Sequence, residues 1–252
     1  MGPQSEISES HAIGDHRVQD AYSLRCMPAV HGAVKMGIEY AVTVLETEAN
    51  SSTDNPLVFA DEGKILSCGN FHGMPVAHAM DFAGIVISSL ASISHERISK
   101  FISTQMSELP PFLAPDGGLN SGHMIIQVAS ASLVSENKVL SHPASVDSMP
   151  TSAEKEDHVS MGTIAARKFS QIVKNAYNVV AMEFLSNTQA LDMILPLKPA
   201  AGVLSAYNCI RKEVPYADVD RIFSKDVTKI HKLMMDGTIV RAVEKTVGEL
   251  SV

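Results

Sequence analysis

The 252 residues of this chain have the composition of a globular protein, with 45% hydrophobic and 19% charged residues, and the length suffices to bury a substantial core. A net charge of −8 without a basic stripe argues against a nucleic-acid partner. Cys26, Cys68 and Cys209 are too few and too scattered for a disulfide framework, which favours a reducing, cytoplasmic setting. No signal peptide and no membrane span are predicted.

Apolar residues that recur at three- and four-residue steps predict four long helices separated by polar loops. These helices are predicted over residues 28–48, 71–104, 121–140 and 158–191, with Pro75 as a candidate kink point. A short extended piece or hairpin is predicted over residues 57–66. Shorter helices are predicted over residues 201–212 and 219–235, and a terminal helix from Thr238.

Helices of this length exceed those of most globular domains and are typical of a bundle. Small side chains are plentiful and aromatic residues make up only 5%, which favours close helix packing. The third helix is apolar on nearly every face over residues 124–133, so we expect it to be buried in a bundle or an oligomer. We therefore predict an all-α, long-helix bundle that is incomplete without other chains.

Three consecutive regions are predicted along the chain. Residues 1–18 are expected to be an irregular N-terminal segment, because they are polar and show no helical period. Residues 19–195 are expected to form the long-helix bundle with its active-site loops. Residues 196–252 are expected to form a region of short helices, because Pro196 and Pro199 interrupt the long pattern.

Motifs for metal and nucleotide chemistry are missing from the sequence. The ten histidines include no His-Glu-x-x-His unit, and the cysteines form no Cys-x-x-Cys pair, so no metal site is predicted. There is also no P-loop, no dinucleotide fingerprint and no serine nucleophile elbow. The chemistry-bearing candidates are instead polar loops at the ends of apolar helices, which converge at one end of a bundle.

Two of these loops can be interpreted in either a functional or a structural way. Tyr22 and Arg25 share a face at helical spacing, which suits a proton acceptor beside a carboxylate anchor. The same residues would also serve as a capping turn with a solvent-exposed arginine. Glu156 lies where the fourth helix is predicted to start, and the helix dipole favours a carboxylate there for purely structural reasons.

The loop sequences resemble the aromatic amino acid ammonia-lyase family, specifically the part of histidine ammonia-lyases downstream of their cofactor-forming segment. The run Glu156-Asp157-His158-Val159-Ser160 is more similar to the histidine-specific branch than to the phenylalanine or tyrosine lyases. The matching segments keep the family's order: QDAYSLRCMPAVHGA (19–33), TDNPLVF (53–59), GNFHG (69–73), LNSG (119–122), SENKVLSHPASVDSMPTSAEKEDHVSMG (135–162) and AARK (165–168).

The resemblance implies a fold of the ammonia-lyase/fumarase type and the elimination of ammonia from L-histidine to give trans-urocanate, a reaction of histidine catabolism. It implies an electrophilic methylidene-imidazolone (MIO) formed from an internal Ala-Ser-Gly. It also implies homotetramers whose active sites draw on more than one chain. The partners expected are therefore an amino acid substrate and further protein chains.

The resemblance also implies roles for six residues. Tyr22 would remove the β-proton or assist the electrophile, and a phenol needs a neighbouring positive charge to do so near neutrality. Arg25 would clamp the substrate carboxylate with its bidentate fork. Glu156 would accept a hydrogen bond or carry a proton at the substrate's imidazole or amine. Phe71 would line the substrate pocket as an apolar wall. Gln19 and Asn55 would be polar groups that bind the substrate directly or lie behind the residues that do.

One departure from the family limits what the chain can do alone. The sequence contains no Ala-Ser-Gly, and the nearest strings are residues 129–132 and 120–122. The chain is expected to be inactive alone, as the C-terminal part of a longer or split enzyme. Alternatively, it is a catalytically silent helical homologue that assembles with or regulates a full-length lyase. A third alternative keeps the chemistry but changes the substrate to phenylalanine or tyrosine.

Overall fold

The computed structural model describes residues 5–11 and 18–250. The described chain is mostly helical, which confirms the predicted all-α fold. Within residues 5–11 and 18–250, four short 3-10 turns accompany the main elements, at Ala60–Glu62, Asn70–His72, Pro111–Leu113 and Ser152–Glu154. The main elements are α1 (Glu6–Ser10), α2 (Tyr22–Arg25), α3 (Met27–Ala49), β1 (Leu57–Phe59), β2 (Lys64–Leu66), α4 (Met74–Phe101), α5 (Thr104–Ser107), α6 (Met124–Leu140), α7 (Gly162–Met193), α8 (Ala201–Arg211), α9 (Phe223–Met235) and α10 (Thr238–Val247).

The four long helices lie where the apolar periodicity predicts them, but three begin later than expected. α4 starts at Met74 rather than Phe71, because a 3-10 turn and Gly73, at φ 73°, precede it. Pro75 lies in the first turn of α4, where its missing amide costs no hydrogen bond, so it does not kink the helix. α7 starts at Gly162 rather than His158, because residues 151–156 form a turn and residues 157–161 have no regular structure. α6 likewise starts at Met124 rather than Ser121.

The extended piece predicted over residues 57–66 is an antiparallel hairpin. Leu57 pairs with Leu66 and Phe59 with Lys64. Gly63, at φ 62°, closes the connecting 3-10 turn in the left-handed region that favours glycine. Because the two strands are antiparallel, the loop before β1 and the loop after β2 lie at the same end of the hairpin. This arrangement brings the TDNPLVF motif close to the GNFHG motif.

The chain forms two compact units that alternate along the sequence. The first unit combines residues up to Met27 with Ala91–Val134 and the chain from Tyr177 onward. The second combines Pro28–Leu90 with Ser135–Ala176. The three regions predicted from the sequence instead follow one another along the chain, and that division stays a prediction.

The core of the first unit is built from branched and aromatic side chains of α6 to α10. Ile210, Val214 and Ile230 are completely buried there, and Phe223 packs with them. The N-terminal segment, predicted to be irregular, contributes the short helix α1, and Glu6 accepts a hydrogen bond from the Lys198 amide at 2.9 Å. Residues 1–4 and 12–17 of that segment lie outside the described residues.

The core of the second unit is made largely of alanine, as the abundance of small side chains predicts. Ala79 and Ala83 are fully buried in it. At Gly37 of α3, a Cβ atom would lie only 2.8 Å from Cγ1 of Val86 in α4. The two helices therefore approach closely at a point where only glycine fits.

Among the described residues, one stretch, 70–101, is long and apolar enough to cross a membrane by length and composition, with a mean hydropathy of 1.6 in its most apolar window. Core helices of soluble proteins pass the same test, and 44% of its most apolar window is buried. Asp81, inside this stretch, accepts hydrogen bonds from the amides of Ala144 and Ser145 at 3.0 and 2.8 Å. The expectation of no membrane span stays a prediction.

Candidate functional site

Tyr22 and Arg25 meet in the four-residue helix α2 of the first unit. The guanidinium carbon of Arg25 lies 4.5 Å from the centre of the Tyr22 ring, within the range of a cation–π contact. Tyr22 is 69% exposed, so the residue is accessible to a small molecule. Gln19, three residues earlier, is also exposed. The pairing follows from the i, i+3 spacing, while the roles of the three residues stay predictions.

A buried ion pair contacts the backbone of this short helix. Arg97 of α4 donates two hydrogen bonds to Glu183 of α7, from Nε at 2.5 Å and from Nη2 at 2.9 Å. Its Nη1 lies 3.4 Å from the carbonyl oxygen of Ser23, the buried residue of α2. A four-residue helix has too few internal hydrogen bonds to be stable alone. The contact with Arg97 thus helps to hold Tyr22 and Arg25 in place.

Asn55 lies at the base of the hairpin in the second unit. Its side-chain oxygen accepts hydrogen bonds from the Cys68 amide at 2.9 Å and the Ser67 hydroxyl at 3.3 Å. This oxygen joins the strand that enters the hairpin to the strand that leaves it. Asn55 therefore has a structural task in the hairpin, and its side-chain NH₂ group is the part that remains for a ligand.

Phe71 lies in the 3-10 turn just before α4, also in the second unit. Phe71 is 54% exposed, so its side chain is accessible to a ligand or a partner. Asn70, in the same turn, donates to the Ser52 carbonyl at 3.5 Å. The turn that carries Phe71 is thereby tied to the loop before the hairpin.

Glu156 closes a strained turn in the second unit. Thr151 and Glu156 form an isolated antiparallel bridge, and the Thr151 hydroxyl donates to Glu156 Oε2 at 3.0 Å. Between them, Ser152, Ala153 and Glu154 all have left-handed backbone angles, with φ of 51°, 53° and 66°. Each such non-glycine residue costs about 1–3 kcal/mol, and strain of this kind collects at functional sites. The strain supports a functional role for the turn.

The six predicted residues are divided between the two units. Three belong to the first unit and three to the second. Within the second unit, the segments of Phe71 and Glu156 are joined by a hydrogen bond from His72 Nε2 to the backbone oxygen of His158, at 2.8 Å. The members of the first group are Gln19, Tyr22 and Arg25, and those of the second are Asn55, Phe71 and Glu156.

Sequence reasoning missed the residues that hold these groups in position. The sequence predicts no role for His72 or His158, and the described residues contain no cluster of three or more groups that could hold a metal ion. Arg97 and Glu183 are 86 residues apart, and each lies on an ordinary helical pattern. A signal did exist for His72, because it stands inside the GNFHG motif.

The LNSG motif forms a cap at the start of α6 in the first unit. The Asp220 carboxylate accepts hydrogen bonds from the amides of Ser121 and Gly122, both at 2.8 Å. His123 follows, almost fully buried, with its Nδ1 3.1 Å from the Ser186 hydroxyl. Burial lowers the pKa of His123 from 6.5 to about 3, with help from the positive charges of Arg211 and Arg221. The His123 imidazole is therefore uncharged near pH 7.

The strings closest to Ala-Ser-Gly cannot form the electrophile. Ser130 lies inside α6, fully buried, and its hydroxyl is bonded to His95 Nδ1 at 2.7 Å and to the Gln127 carbonyl at 2.8 Å. Ser121 and Gly122 have their amides occupied by Asp220, and the residue before them is asparagine. The residues of this chain thus do not fit the precursor of the group.

Comparison with known proteins defines the class. A model of the aromatic amino acid lyase family matches residues 3–212, so the chain belongs to that family. Histidine ammonia-lyase of Myxococcus xanthus (strain DK1622) is 52% identical to it over 239 residues, which are 95% of this chain and 47% of the relative. The chain thus spans about half the length of the curated relatives it matches.

Solved structures agree with this assignment. The crystal structure of histidine ammonia-lyase from Trypanosoma cruzi superposes with a TM-score of 0.87 at 43% identity, covering 90% of this chain and 45% of that one. Tyrosine aminomutase from Streptomyces globisporus superposes with a TM-score of 0.86 at 33% identity, covering 95% of this chain and 47% of that one. The helical fold is that of the ammonia-lyases.

Proposed function

We propose that this chain is the C-terminal part of a histidine ammonia-lyase, which eliminates ammonia from L-histidine to give trans-urocanate. The observation that carries the proposal is the exposed Tyr22–Arg25 pair, on a short helix that Arg97 contacts. It occurs in a chain that is 52% identical to a histidine ammonia-lyase over 239 residues. A cation and a phenol on one face suit a substrate with a carboxylate and a removable proton close together. An α-amino acid is such a substrate.

In this proposal, Arg25 binds the substrate carboxylate, because a guanidinium matches a carboxylate with two parallel hydrogen bonds. Tyr22, beside it, takes the β-proton or assists the electrophile. The carboxylate and the β-carbon of an amino acid are two bonds apart, so groups that share one helical face can reach both. Gln19, three residues before Tyr22 and outside α2, would add a polar contact.

The second unit would contribute substrate contacts of its own. Glu156 would accept a hydrogen bond from the imidazole or the amine, or carry a proton for it. Phe71 would form an apolar wall beside the imidazole, and Asn55 would donate from its NH₂ group. The Thr151 hydroxyl already orients the Glu156 carboxylate, which lowers the entropic cost of binding.

A methylidene-imidazolone supplies the electrophile that makes the ammonia a better leaving group in this family. Since the present chain has no Ala-Ser-Gly, we propose that an N-terminal segment or a companion chain provides it. This chain would then bind and orient the substrate and move protons, and it would be inactive by itself.

Exposed apolar surface supports an assembly with other chains. On α6, Ile125 and Val128 are more than half exposed, although the sequence predicts this helix to be buried. In the second unit, Met36, Tyr40 and Phe82 line an open cleft of about 630 Å³. Exposed apolar area costs roughly 25 cal/mol per Å², and patches of this kind mark interfaces. We propose a tetramer-like homo- or hetero-oligomer, located in the cytoplasm.

The test is to co-express the chain with the N-terminal half of the Myxococcus xanthus relative, an assembly that we call the assembled lyase. The proposal predicts a stable complex by native mass spectrometry and release of urocanate from L-histidine, with no turnover by the chain alone. Faster turnover of phenylalanine or tyrosine than of histidine would favour the third alternative. A lone 27 kDa species without turnover would contradict the proposal, provided that the two halves of the relative are active together.

A further inference from the structure

A hydrogen bond between two histidines joins the segment of Phe71 to the segment of Glu156. His72 Nε2 lies 2.8 Å from the backbone oxygen of His158, 86 residues further along the chain. The two imidazole rings are nearly parallel, with 8° between their planes and 5.7 Å between their centres. All four residues belong to the second unit. The contact therefore links two separate stretches of that unit.

The chemistry of the contact fixes which nitrogen of His72 carries a proton. A backbone carbonyl oxygen only accepts hydrogen bonds, so the nitrogen that faces it must donate. His72 therefore carries a hydrogen on Nε2. A side chain at this position can replace His72 only if it brings an N–H group to the same place.

The segment that carries Glu156 depends on few contacts. The 151–156 turn is strained and exposed, and α7 begins only at Gly162. Between Glu156 and Gly162, the structure describes three hydrogen bonds to other residues of the unit. The Met161 oxygen accepts one from the Ala165 amide at 3.1 Å, at the start of α7. The two nearer Glu156 run from His72 to the His158 carbonyl and from the Val159 amide to the Ser148 hydroxyl at 2.9 Å.

The segment that carries His72 is firmly held. The His72 amide donates to the Gly69 carbonyl at 3.1 Å, and Gly73 turns the chain directly into the 28-residue helix α4. Phe71 precedes His72 in the same 3-10 turn. One side of the contact is thus anchored on a long helix, and the other side lies on a loop that needs an anchor.

We propose that His72 is a positioning residue whose hydrogen bond to the His158 carbonyl holds the Glu156 carboxylate in place relative to the Phe71 ring. The inference rests on the proposed function, because Phe71 and Glu156 contact substrate only there. A displacement of a binding group by about 1 Å can cost up to 10²-fold in rate. His72 would act through Glu156 without touching the substrate.

Two variants separate the hydrogen bond from the ring. His72→Gln keeps a side-chain N–H donor without an imidazole, and His72→Phe keeps an aromatic ring of similar size without a donor. His142→Phe is a matched control, since His142 is an exposed histidine of the same unit. If the hydrogen bond is what matters, glutamine replaces His72 and phenylalanine does not.

The first measurement uses the chain itself and does not depend on activity. Hydrogen exchange of the peptide 151–160 is expected to become about two- to tenfold faster in His72→Phe, which is the net worth of one hydrogen bond. His72→Gln and His142→Phe are expected to stay within about twofold of the wild type. Equal exchange in all four proteins would overturn the proposed tether, and so would equal acceleration in both His72 variants.

The second measurement uses the assembled lyase. A loss of folded enzyme lowers kcat and leaves KM unchanged, whereas a displaced Glu156 weakens substrate binding. We therefore expect His72→Phe to raise KM for L-histidine about tenfold, and His72→Gln to restore it. An unchanged KM in His72→Phe would overturn the positioning role. A wild-type assembly without turnover would instead contradict the proposed function, while the exchange measurement would still decide whether the tether exists.

Discussion

Arg97 and Glu183 form a doubly hydrogen-bonded ion pair in the interior of the first unit. Their side chains are only 8% and 12% exposed, and the Ser94 hydroxyl adds a third hydrogen bond to Glu183 at 2.5 Å. Arg97 also contacts the carbonyl of Ser23, between Tyr22 and Arg25. The stability of the interior and the placement of the two candidate active-site residues therefore depend on one guanidinium.

Breaking this pair should be costly. Glu183→Gln leaves the Arg97 charge buried without a counter-charge, so we expect the free energy of unfolding to fall by about 3–5 kcal/mol in urea denaturation. The double variant Arg97→Met with Glu183→Leu should recover much of that loss. The control is Glu96→Gln, at the exposed Lys100–Glu96 pair, for which less than about 0.5 kcal/mol is expected. Equal losses at both pairs would contradict this account.

Close packing of α3 against α4 should make Gly37 sensitive to a single methyl group. Gly37→Ala places a Cβ atom 2.8 Å from a methyl carbon of Val86, and overpacking of this kind costs about 1–3 kcal/mol. Gly32→Ala, in the same helix, meets nothing within 4 Å and should stabilise by up to about 1 kcal/mol through helix propensity. Thermal unfolding compares the two variants. If both raise Tm, the close approach is refuted.

The negative charge of Glu156 should contribute more to kcat/KM of the assembled lyase than the hydrogen bond between Glu156 and Thr151 does. Glu156→Gln keeps an oxygen that can accept from the Thr151 hydroxyl but removes the negative charge. We expect kcat/KM of the assembled lyase for L-histidine to fall about 10²-fold, the usual size of a lost acid–base group. The free energy of unfolding should change by less than about 0.5 kcal/mol.

Glu154→Gln is the matched control for that variant, because Glu154 is an exposed carboxylate of the same strained turn. It should leave kcat/KM and stability close to those of the wild type. Similar activity losses in the two variants would indicate that the turn senses charge in general, and Glu156 would then have no specific role.

His123 should make the chain less stable in mild acid. Its pKa is about 3 in the folded chain and near 6.5 when exposed, so the unfolded state takes up a proton first as the pH falls. The stabilisation is complete above pH 6.5 and is lost progressively below it, by about 2 kcal/mol at pH 5. His123→Asn keeps a polar group near Ser186 without titrating.

The measurement compares the free energy of unfolding of wild type and His123→Asn between pH 5 and pH 7. The variant should be less stable at pH 7, because the imidazole packs against Phe223 with ring centres 5.1 Å apart. The difference between the two proteins should shrink towards pH 5. A difference that stays constant with pH would show that His123 does not titrate as the burial implies.

The long helices and the Tyr22–Arg25 pair could be predicted because they depend on local sequence. Apolar periodicity sets the helices, and the i, i+3 spacing places the tyrosine beside the arginine. The late start of α7 could not be predicted in the same way. Ser152, Ala153 and Glu154 adopt left-handed angles although none is glycine, so the residue types give no sign of this turn.

The supporting contacts of the site could not be predicted for a different reason. The Arg97–Glu183 pair and the His72–His158 hydrogen bond each join residues 86 positions apart. Neither contact leaves a periodic pattern, and the chemistry of each residue alone suggests another use. Only the folded chain identifies the partner of each residue.

The most direct measurement of the central claim is the rate of urocanate formation by the assembled lyase carrying Tyr22→Phe. Tyr22 is mostly exposed, so the loss of its hydroxyl should leave assembly and Tm unchanged. We expect kcat to fall by about 10²–10⁴-fold, because the group that exchanges the proton is gone. Tyr177→Phe, at an exposed tyrosine outside the proposed interface cleft, is the control and should keep the wild-type rate. An undiminished rate in Tyr22→Phe would contradict the claim that this chain supplies half of the active site, and would favour the catalytically silent homologue.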